Sequence, residues 1–95
     1  MSYHTVLSQI LDRRKLQNEK WGYPQYHTIE GWLAILVEEV GEVAEAILEK
    51  NPSDIRDELI DVAAVAVAAI EHMDLDMLLR TYIPPDRKGD KHDLG

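Results

Sequence analysis

Cysteine is absent from the 95-residue chain, and basic residues are few, with ten lysines and arginines against eighteen aspartates and glutamates. The lack of cysteine excludes a disulfide framework, a thiolate zinc site and a cysteine nucleophile, so any bound metal has oxygen or imidazole ligands. The net charge of -8 at pH 7 argues against a surface that binds nucleic acid by neutralising its phosphates. A small polyanionic ligand is compatible with this charge if metal ions screen it.

Long hydrophobic runs are also absent. The longest apolar stretch, residues 62–70, has nine residues and is rich in alanine, whereas a membrane-spanning helix needs about 20. The first residues are amphipathic and lack the charged stretch and apolar run of a signal peptide. We therefore expect a cytoplasmic protein without a membrane span.

Apolar residues recur at helical spacing along most of the chain, and no segment reads as a credible strand. The pattern predicts an all-α fold, an antiparallel bundle of about four helices within one domain of residues 1–83. The predicted helices cover about residues 2–20, 28–50, 53–73 and 74–82. Their expected N-caps, from the second helix onward, are Thr28, Asn51 or Ser53, and Asp74. Residues 84–95 are charged and nearly free of apolar side chains, which predicts a mobile tail.

Two pairs of carboxylates lie within the helical segments. Glu39 and Glu42 belong to the string EEVGE, and Glu58 and Asp61 belong to the string DELID. Each pair is spaced i, i+3, so both members project from one face of their helix. At about 100° per residue, Glu39 and Glu42 fall on one flank of the apolar stripe of the second helix. Two such helices packed antiparallel bring four carboxylates to one place.

Glu58 is the most informative of the four carboxylates. On the same helical wheel it lies about 40° from Val62, inside an apolar stripe that includes Ile55 and Leu59. An ionised carboxylate left unpaired in such a position costs several kcal/mol. The Glu58 carboxyl is therefore expected to be protonated, paired with a base or bound to a metal.

Gathered carboxylates repel one another unless a cation lies among them, and several hard oxygen ligands suit Mg²⁺ or Mn²⁺. Two other interpretations stay open. The first acidic pair can be an ordinary solvated helix face. The second pair can form a buried ion pair with Arg13, Arg14 or Arg56.

The third helix is apolar nearly all round across residues 62–70. A helix of this kind is enclosed on every side, and a chain of 95 residues buries only a modest core by itself. We therefore expect a homodimer or homotetramer in which a partner subunit covers this helix.

Together these motifs resemble those of a known family. The string EEVGE fits the pattern EExxE, and residues 58–61 fit the ExxD that follows after a short gap between helices. Upstream, KWGYPQYH followed by TIEGWLAIL looks like the loop and helix start that precede EExxE in many small members. Over residues 17–79 the chain resembles the MazG-like members of the all-alpha nucleoside triphosphate pyrophosphohydrolase superfamily, which also includes dimeric dUTPases and dCTP pyrophosphatases.

The resemblance implies that Glu39, Glu42, Glu58 and Asp61 bind Mg²⁺, with Mn²⁺ as the alternative. It implies hydrolysis of a nucleoside triphosphate to the monophosphate and pyrophosphate, in which metal ions neutralise the triphosphate and make the attacking water more acidic. It also implies a catalytic role for Glu39 and for Glu38, the first residue of the motif, which acts on a further metal ion or on the water.

The loop before the second helix is the candidate substrate-binding segment. Trp21 and Trp32 offer flat apolar surface to a base, although core or interface positions suit them at least as well. Lys20 and His27 flank the loop and can donate to a phosphate or a base edge, while packing within the loop suits His27 equally. No partner is evident for the remaining histidines, which are His4, His72 and His92.

One departure from the family concerns the phosphates of the substrate. Many relatives carry a lysine and an asparagine after the last core helix that help to hold phosphates, and residues 80–92 contain no asparagine here. Arg80, Arg87 and Lys88 are the candidate replacements.

The competing function is a non-catalytic helical dimer, such as a regulatory or antitoxin-like module that uses its acidic helices for solubility. Such a module has no need of a carboxylate in an apolar stripe, so the position of Glu58 separates the two hypotheses.

Overall fold

A computed structural model describes residues 2–82, with side chains described as far as Met77, and this part of the chain forms three α-helices. Helix α1 spans Tyr3–Trp21, α2 spans Ile29–Leu48 and α3 spans Pro52–Tyr82. The prediction of an all-α fold is confirmed. Within the same residues, no helix combines the length and the apolar character needed to cross a membrane. The predicted tail and the candidate phosphate ligands Arg80, Arg87 and Lys88 lie outside the side chains that are described.

Short polar side chains begin all three helices. Backbone N–H groups donate from Thr5 to Ser2 at 3.4 Å, from Gly31 to Thr28 at 3.1 Å and from Asp54 to Asn51 at 3.2 Å. Each bond satisfies one of the N–H groups that the first turn of a helix leaves without an intrahelical partner. The predicted caps Thr28 and Asn51 are thereby confirmed.

Asp74 does not begin a fourth helix, so the separate helix predicted over residues 74–82 is wrong. Helix α3 runs without a break to Tyr82. Residues 53–82 contain neither glycine nor proline, and the leucines and methionines that follow Asp74 are good helix formers. The described part of the chain is therefore a three-helix unit.

Helix α3 lies between its two neighbours and packs against both α1 and α2. The chain reverses at Lys50, which adopts a φ of 55°, so α2 and α3 run antiparallel. Helix α1 runs parallel to α3, because Gln9 contacts Arg56 near the start of both helices and Arg14 contacts Glu71 further along.

The packed faces of α2 and α3 coincide only in part with the apolar stripes that periodicity predicts, and Leu36 and Val65 belong to both. On α2 the residues turned toward α3 include Trp32, Ile35 and Leu36. The apolar stripe that periodicity predicts for α2 consists of Leu33, Leu36, Val37, Val40, Val43, Ala44 and Ile47. Four large residues of this stripe remain at least half exposed, namely Leu33, Val37, Val40 and Ile47. Relative to the predicted orientation, α2 is rotated by about 100°, and the rotation brings the flank of Glu39 inward.

Helix α3 is rotated in the same way. Its buried residues are Ile60, Ala64, Val65 and Ala68. Leu59, which was predicted to lie in the buried stripe, is 52% exposed, and Ile70, Met73 and Met77 are also at least half exposed. Asp61 falls near the centre of the buried face on a helical wheel. The two acidic flanks therefore face each other inside the chain.

Candidate metal centre and the adjoining cavity

Three carboxylates meet where α2 crosses α3. Glu39 comes from α2, Glu58 and Asp61 come from α3, and one carboxylate oxygen of each lies within 4.8 Å of the others. All three side chains are partly buried. The Oε2 atoms of Glu39 and Glu58 are buried and accept no hydrogen bond. Unsatisfied carboxylate oxygens are costly, so this arrangement favours a cation among them.

Two of the three carboxyl groups have pKa values above that of an ordinary glutamate. Burial, followed by the charge of neighbouring Glu42, raises the pKa of Glu39 to about 7. Burial also raises the pKa of Glu58 to about 6, with hydrogen bonding and charge from Glu42 as the next causes. Both glutamates thus tend to keep a proton where no cation balances the cluster.

The oxygen ligands of this cluster are of the kind that binds a hard divalent ion. Two ligands on opposite sides of an octahedral Mg²⁺ lie about 4.2 Å apart, because each bond is about 2.1 Å long. The oxygens of Glu39, Glu58 and Asp61 lie within 4.8 Å of one another, so a small inward movement of the side chains would suffice for all three to bind one ion. The donor set consists of carboxylate oxygens alone, which suits Mg²⁺ or Mn²⁺ better than softer metals.

Two further residues of the acidic motif lie beside this centre. Glu42 is exposed and does not belong to the group of three, although its charge raises the pKa of both Glu39 and Glu58. Glu38 is also exposed and lies about 100° around the helix from Glu39. The metal-binding role of Glu42 and the catalytic role of Glu38 stay predictions.

Asp61 also forms an ion pair with Arg13 of α1. The Nη1 atom of Arg13 donates to Oδ1 of Asp61 at 2.5 Å, and Nη2 lies 3.4 Å from Oδ1 of Asp57. The alternative of a buried ion pair therefore applies to Asp61. It does not account for Glu58, whose Oε2 has no hydrogen-bond partner.

The other two arginines considered for such a pair also make contacts between helices. Arg14 is only 4% exposed and donates to Glu71 at 2.7 Å, to Gln17 at 3.1 Å and to Asn18 at 2.9 Å. Arg56 donates to Gln9 at 2.6 Å. Arg14 and Arg56 thus each join α1 to α3.

A cavity of about 670 Å³ lies between the loop that precedes α2 and the later turns of α3. Its lining residues are Pro24, Gln25, Tyr26, His27, Thr28, Ile29, Glu30, Trp32, His72, Met73, Leu75, Asp76 and Met77. Trp32 is 6% exposed and belongs to the core with Val65 and Ala68, so it has a core role and also lines the cavity. The rings of His27 and Trp32 meet edge to face with centroids 4.9 Å apart.

Lys20 and Trp21 are not among the residues that line this cavity. They end α1, where Nζ of Lys20 lies 5.4 Å from the centroid of the Trp21 ring, and Trp21 is 51% exposed. The structure thus brings His27 and Trp32 together and leaves Lys20 and Trp21 apart from them. Substrate contacts by all four residues stay predictions.

His72 is a structural residue of this region that the sequence did not reveal. Its Nε2 accepts from the backbone N–H of Gln25 at 2.9 Å, and its Nδ1 lies 2.7 Å from the carbonyl oxygen of Ala68. Since an amide N–H donates and a carbonyl accepts, the ring carries its proton on Nδ1. The ring also contacts Trp32 and Tyr23, with centroids 4.9 Å and 5.2 Å away. His72 thus attaches the loop before α2 to α3.

Comparison with known proteins identifies the family. Residues 27–80 match the MazG nucleotide pyrophosphohydrolase domain, which is more than half of the 95-residue chain. The chain therefore belongs to this family, as the sequence motifs predict. The match contains all four predicted metal ligands and excludes α1. Searches of curated proteins and of solved structures gave no match.

The raised pKa values predict a pH dependence of stability without metal. Glu39 and Glu58 have pKa values of about 7 and about 6 in the folded chain, against 4.5 as their ordinary value. As the pH rises from about 4.5 to about 7, the unfolded chain loses these protons first, so the free energy of unfolding contributed by the two groups falls. Urea denaturation across this range in a chelator should show the decline. Glu58→Gln should flatten it, whereas Glu45→Gln on the exposed face should leave it unchanged, and equal profiles for all three proteins would contradict the assignment.

Replacement of His72 should loosen the loop. His72→Leu removes the acceptor for the Gln25 N–H, and we expect a loss of about 1–3 kcal/mol in the free energy of unfolding. Hydrogen exchange should show faster exchange at the Gln25 amide. His4→Leu is the matched control, because His4 is exposed near the start of α1. An unchanged Gln25 amide in His72→Leu would show that the ring does not hold the loop.

Proposed function

We propose that this chain hydrolyses a nucleoside triphosphate to the nucleoside monophosphate and pyrophosphate in the presence of Mg²⁺ or Mn²⁺. Glu39, Glu58 and Asp61 hold the ion, Glu42 completes the ligand set, and Glu38 acts on the attacking water or on a further ion. When bound, a divalent ion supplies charge neutralisation and Lewis acidity to the triphosphate. Membership of the MazG nucleotide pyrophosphohydrolase family supports the reaction class.

The observation that carries this proposal is the convergence of three carboxylates on one point. Their oxygens lie within 4.8 Å of one another, and two of the oxygens are buried without a partner. Such a cluster destabilises a protein that has no use for it, because burial and like charge both disfavour ionised carboxylates. Strongly perturbed carboxyl groups are typical of functional sites.

The cavity beside the loop is the proposed site for the base. Trp32 lines the cavity and precedes Glu39 by two turns of α2, a separation of about 10 Å along the helix axis. A nucleotide with its base near His27 and Trp32 can therefore extend its phosphates toward the carboxylates. The cavity volume of about 670 Å³ is within the range of small-molecule sites.

The competing hypothesis of a non-catalytic interaction module accounts poorly for Glu58. One of its carboxylate oxygens is buried and unsatisfied, and it faces Glu39 of the neighbouring helix. Charge that serves only solubility is better placed at exposed positions such as Glu45 of α2 and Glu49, the residue that follows this helix. The position of Glu58 thus favours the enzyme.

Assembly into a homodimer or homotetramer is part of the proposal. The exposed apolar stripe of α2 consists of Leu33, Val37, Val40 and Ile47. With Ala44 included, its members alternate at spacings of four and three residues. This spacing is that of the seam between packed helices. A second copy of the chain that covers this stripe and the exposed residues of α3 removes a large apolar surface from water.

Loss of the metal ligands should abolish hydrolysis. Loss of a side chain that only supports a metal ligand costs up to about a hundredfold. Glu39→Gln and Glu58→Gln remove proposed ligands themselves, so each should lower kcat by more than about a hundredfold. Glu45→Gln changes the same residue type on the exposed face and should retain activity. A panel of nucleoside triphosphates assayed for pyrophosphate release with Mg²⁺ measures this and identifies the preferred base and sugar. Equal rates in all three variants would remove the cluster from the active site.

The oligomer should be visible in solution. Light scattering at micromolar concentration should give a mass of two or four times the 10.9 kDa of the chain. Val37→Lys in the α2 stripe should shift the protein toward the monomer, whereas Glu45→Lys on the opposite side should not. A wild-type mass near 10.9 kDa would contradict the assembly.

A further inference from the structure

Arg13 is a basic residue in direct contact with Asp61, a member of the carboxylate cluster. It lies on α1, before the region that matches the family, so the family match assigns it no role. Its side chain is 26% exposed, as is that of Asp61. Its contacts with Asp57 are long, because Nη1 lies 3.4 Å from the backbone oxygen of Asp57 and Nη2 lies 3.4 Å from Oδ1, and the Asp57 side chain is 67% exposed. The short contact of Arg13 is the one with Asp61.

Arg14, the next residue, shows by contrast what a structural arginine looks like in this chain. Its side chain is 4% exposed, and it donates to three side-chain oxygens at 2.7–3.1 Å. Movement of Arg14 would leave those acceptors and a buried charge without partners. Arg13 has no comparable enclosure, so its guanidinium can change partners.

A divalent ion and Arg13 compete for the same carboxylate. Once an ion shares the charge of Asp61, attraction between Asp61 and the guanidinium weakens, and the two cations repel each other. A triphosphate brings additional negative charge to a centre that three carboxylates already line. The planar fork of an arginine matches the oxygens of a phosphate group, which makes phosphate the natural next partner.

We propose that Arg13 is a substrate-binding residue, which pairs with Asp61 in the metal-free protein and transfers to a phosphate of the substrate when a divalent ion occupies the cluster. This inference rests on the proposed function. It supplies, from α1, a positive charge for the phosphates of the substrate.

The proposal predicts that loss of the Arg13 charge raises the affinity for Mg²⁺ and lowers the affinity for triphosphate. Arg13→Met keeps the length of the side chain and removes the competing charge. Calorimetry with MgCl2 alone should show tighter binding, on the order of tenfold, which corresponds to the repulsion between a divalent ion and a unit charge about 6 Å apart in water. Titration with inorganic triphosphate at saturating Mg²⁺ should show binding about ten- to a hundredfold weaker, the effect of losing a charged hydrogen bond.

Two matched variants complete the experiment. Lys15→Met removes the same charge from an exposed position of α1 and should change neither affinity. Arg13→Lys keeps the charge without the fork, so it should preserve Mg²⁺ affinity and weaken triphosphate binding. If Arg13→Met does not fold, the milder variant Arg13→Lys still tests the predicted loss of triphosphate affinity.

The outcomes separate this proposal from the proposed function. Failure of the wild-type chain to bind Mg²⁺ would overturn the metal centre itself. Wild-type binding of Mg²⁺ with unchanged triphosphate affinity in Arg13→Met and Arg13→Lys would overturn only the role of Arg13. Weaker binding of both ligands in Arg13→Met would show that Arg13 is a fixed support for Asp61 and would also contradict the transfer.

Discussion

Repulsion among the carboxylates between α2 and α3 is the constraint on which the rest of the structure depends. Glu39 and Asp61 lie near the centres of the two packed faces, and Glu58 lies beside them. Without a divalent ion, two devices lower the free-energy cost of holding these carboxylates together. Raised pKa values let Glu39 and Glu58 keep their protons to a higher pH than ordinary glutamates, and Arg13 pairs with Asp61. Both devices are reversible, as a site that binds a cation requires, because bound metal displaces protons and competes with the guanidinium.

The helix rotation that creates this cluster also exposes the apolar stripes. When the acidic flanks turn inward, Val37 of α2 and Leu59 of α3 turn outward with their neighbours, and each is at least half exposed. Few large side chains are buried among residues 2–77, and small ones such as Ala64 and Ala68 line the seam between the helices. Small residues allow the two helices to approach closely. The carboxylate cluster and the exposed apolar stripes thus have one geometric cause.

Local features of the chain could be predicted from the sequence, and features that depend on distant contacts could not. Thr28 and Asn51 begin their helices as predicted, because a cap is a contact between residues three apart. Periodicity defines an apolar stripe, but it does not say whether the same chain or a partner covers it, so the rotation of both helices was missed. His72 was missed because its partner is the backbone of Gln25, 47 residues away, and an amide N–H leaves no sequence signal.

The central claim is that the cluster of Glu39, Glu58 and Asp61 binds a divalent ion. Anomalous diffraction from crystals grown with Mn²⁺ tests it most directly, because the ion gives a signal that protons, water and Mg²⁺ do not. We expect an anomalous peak with oxygens of all three carboxylates at about 2.0–2.3 Å, the range of hard divalent ions. Crystals that contain Mn²⁺ elsewhere but show water or a side-chain cation among these three carboxylates would contradict the account.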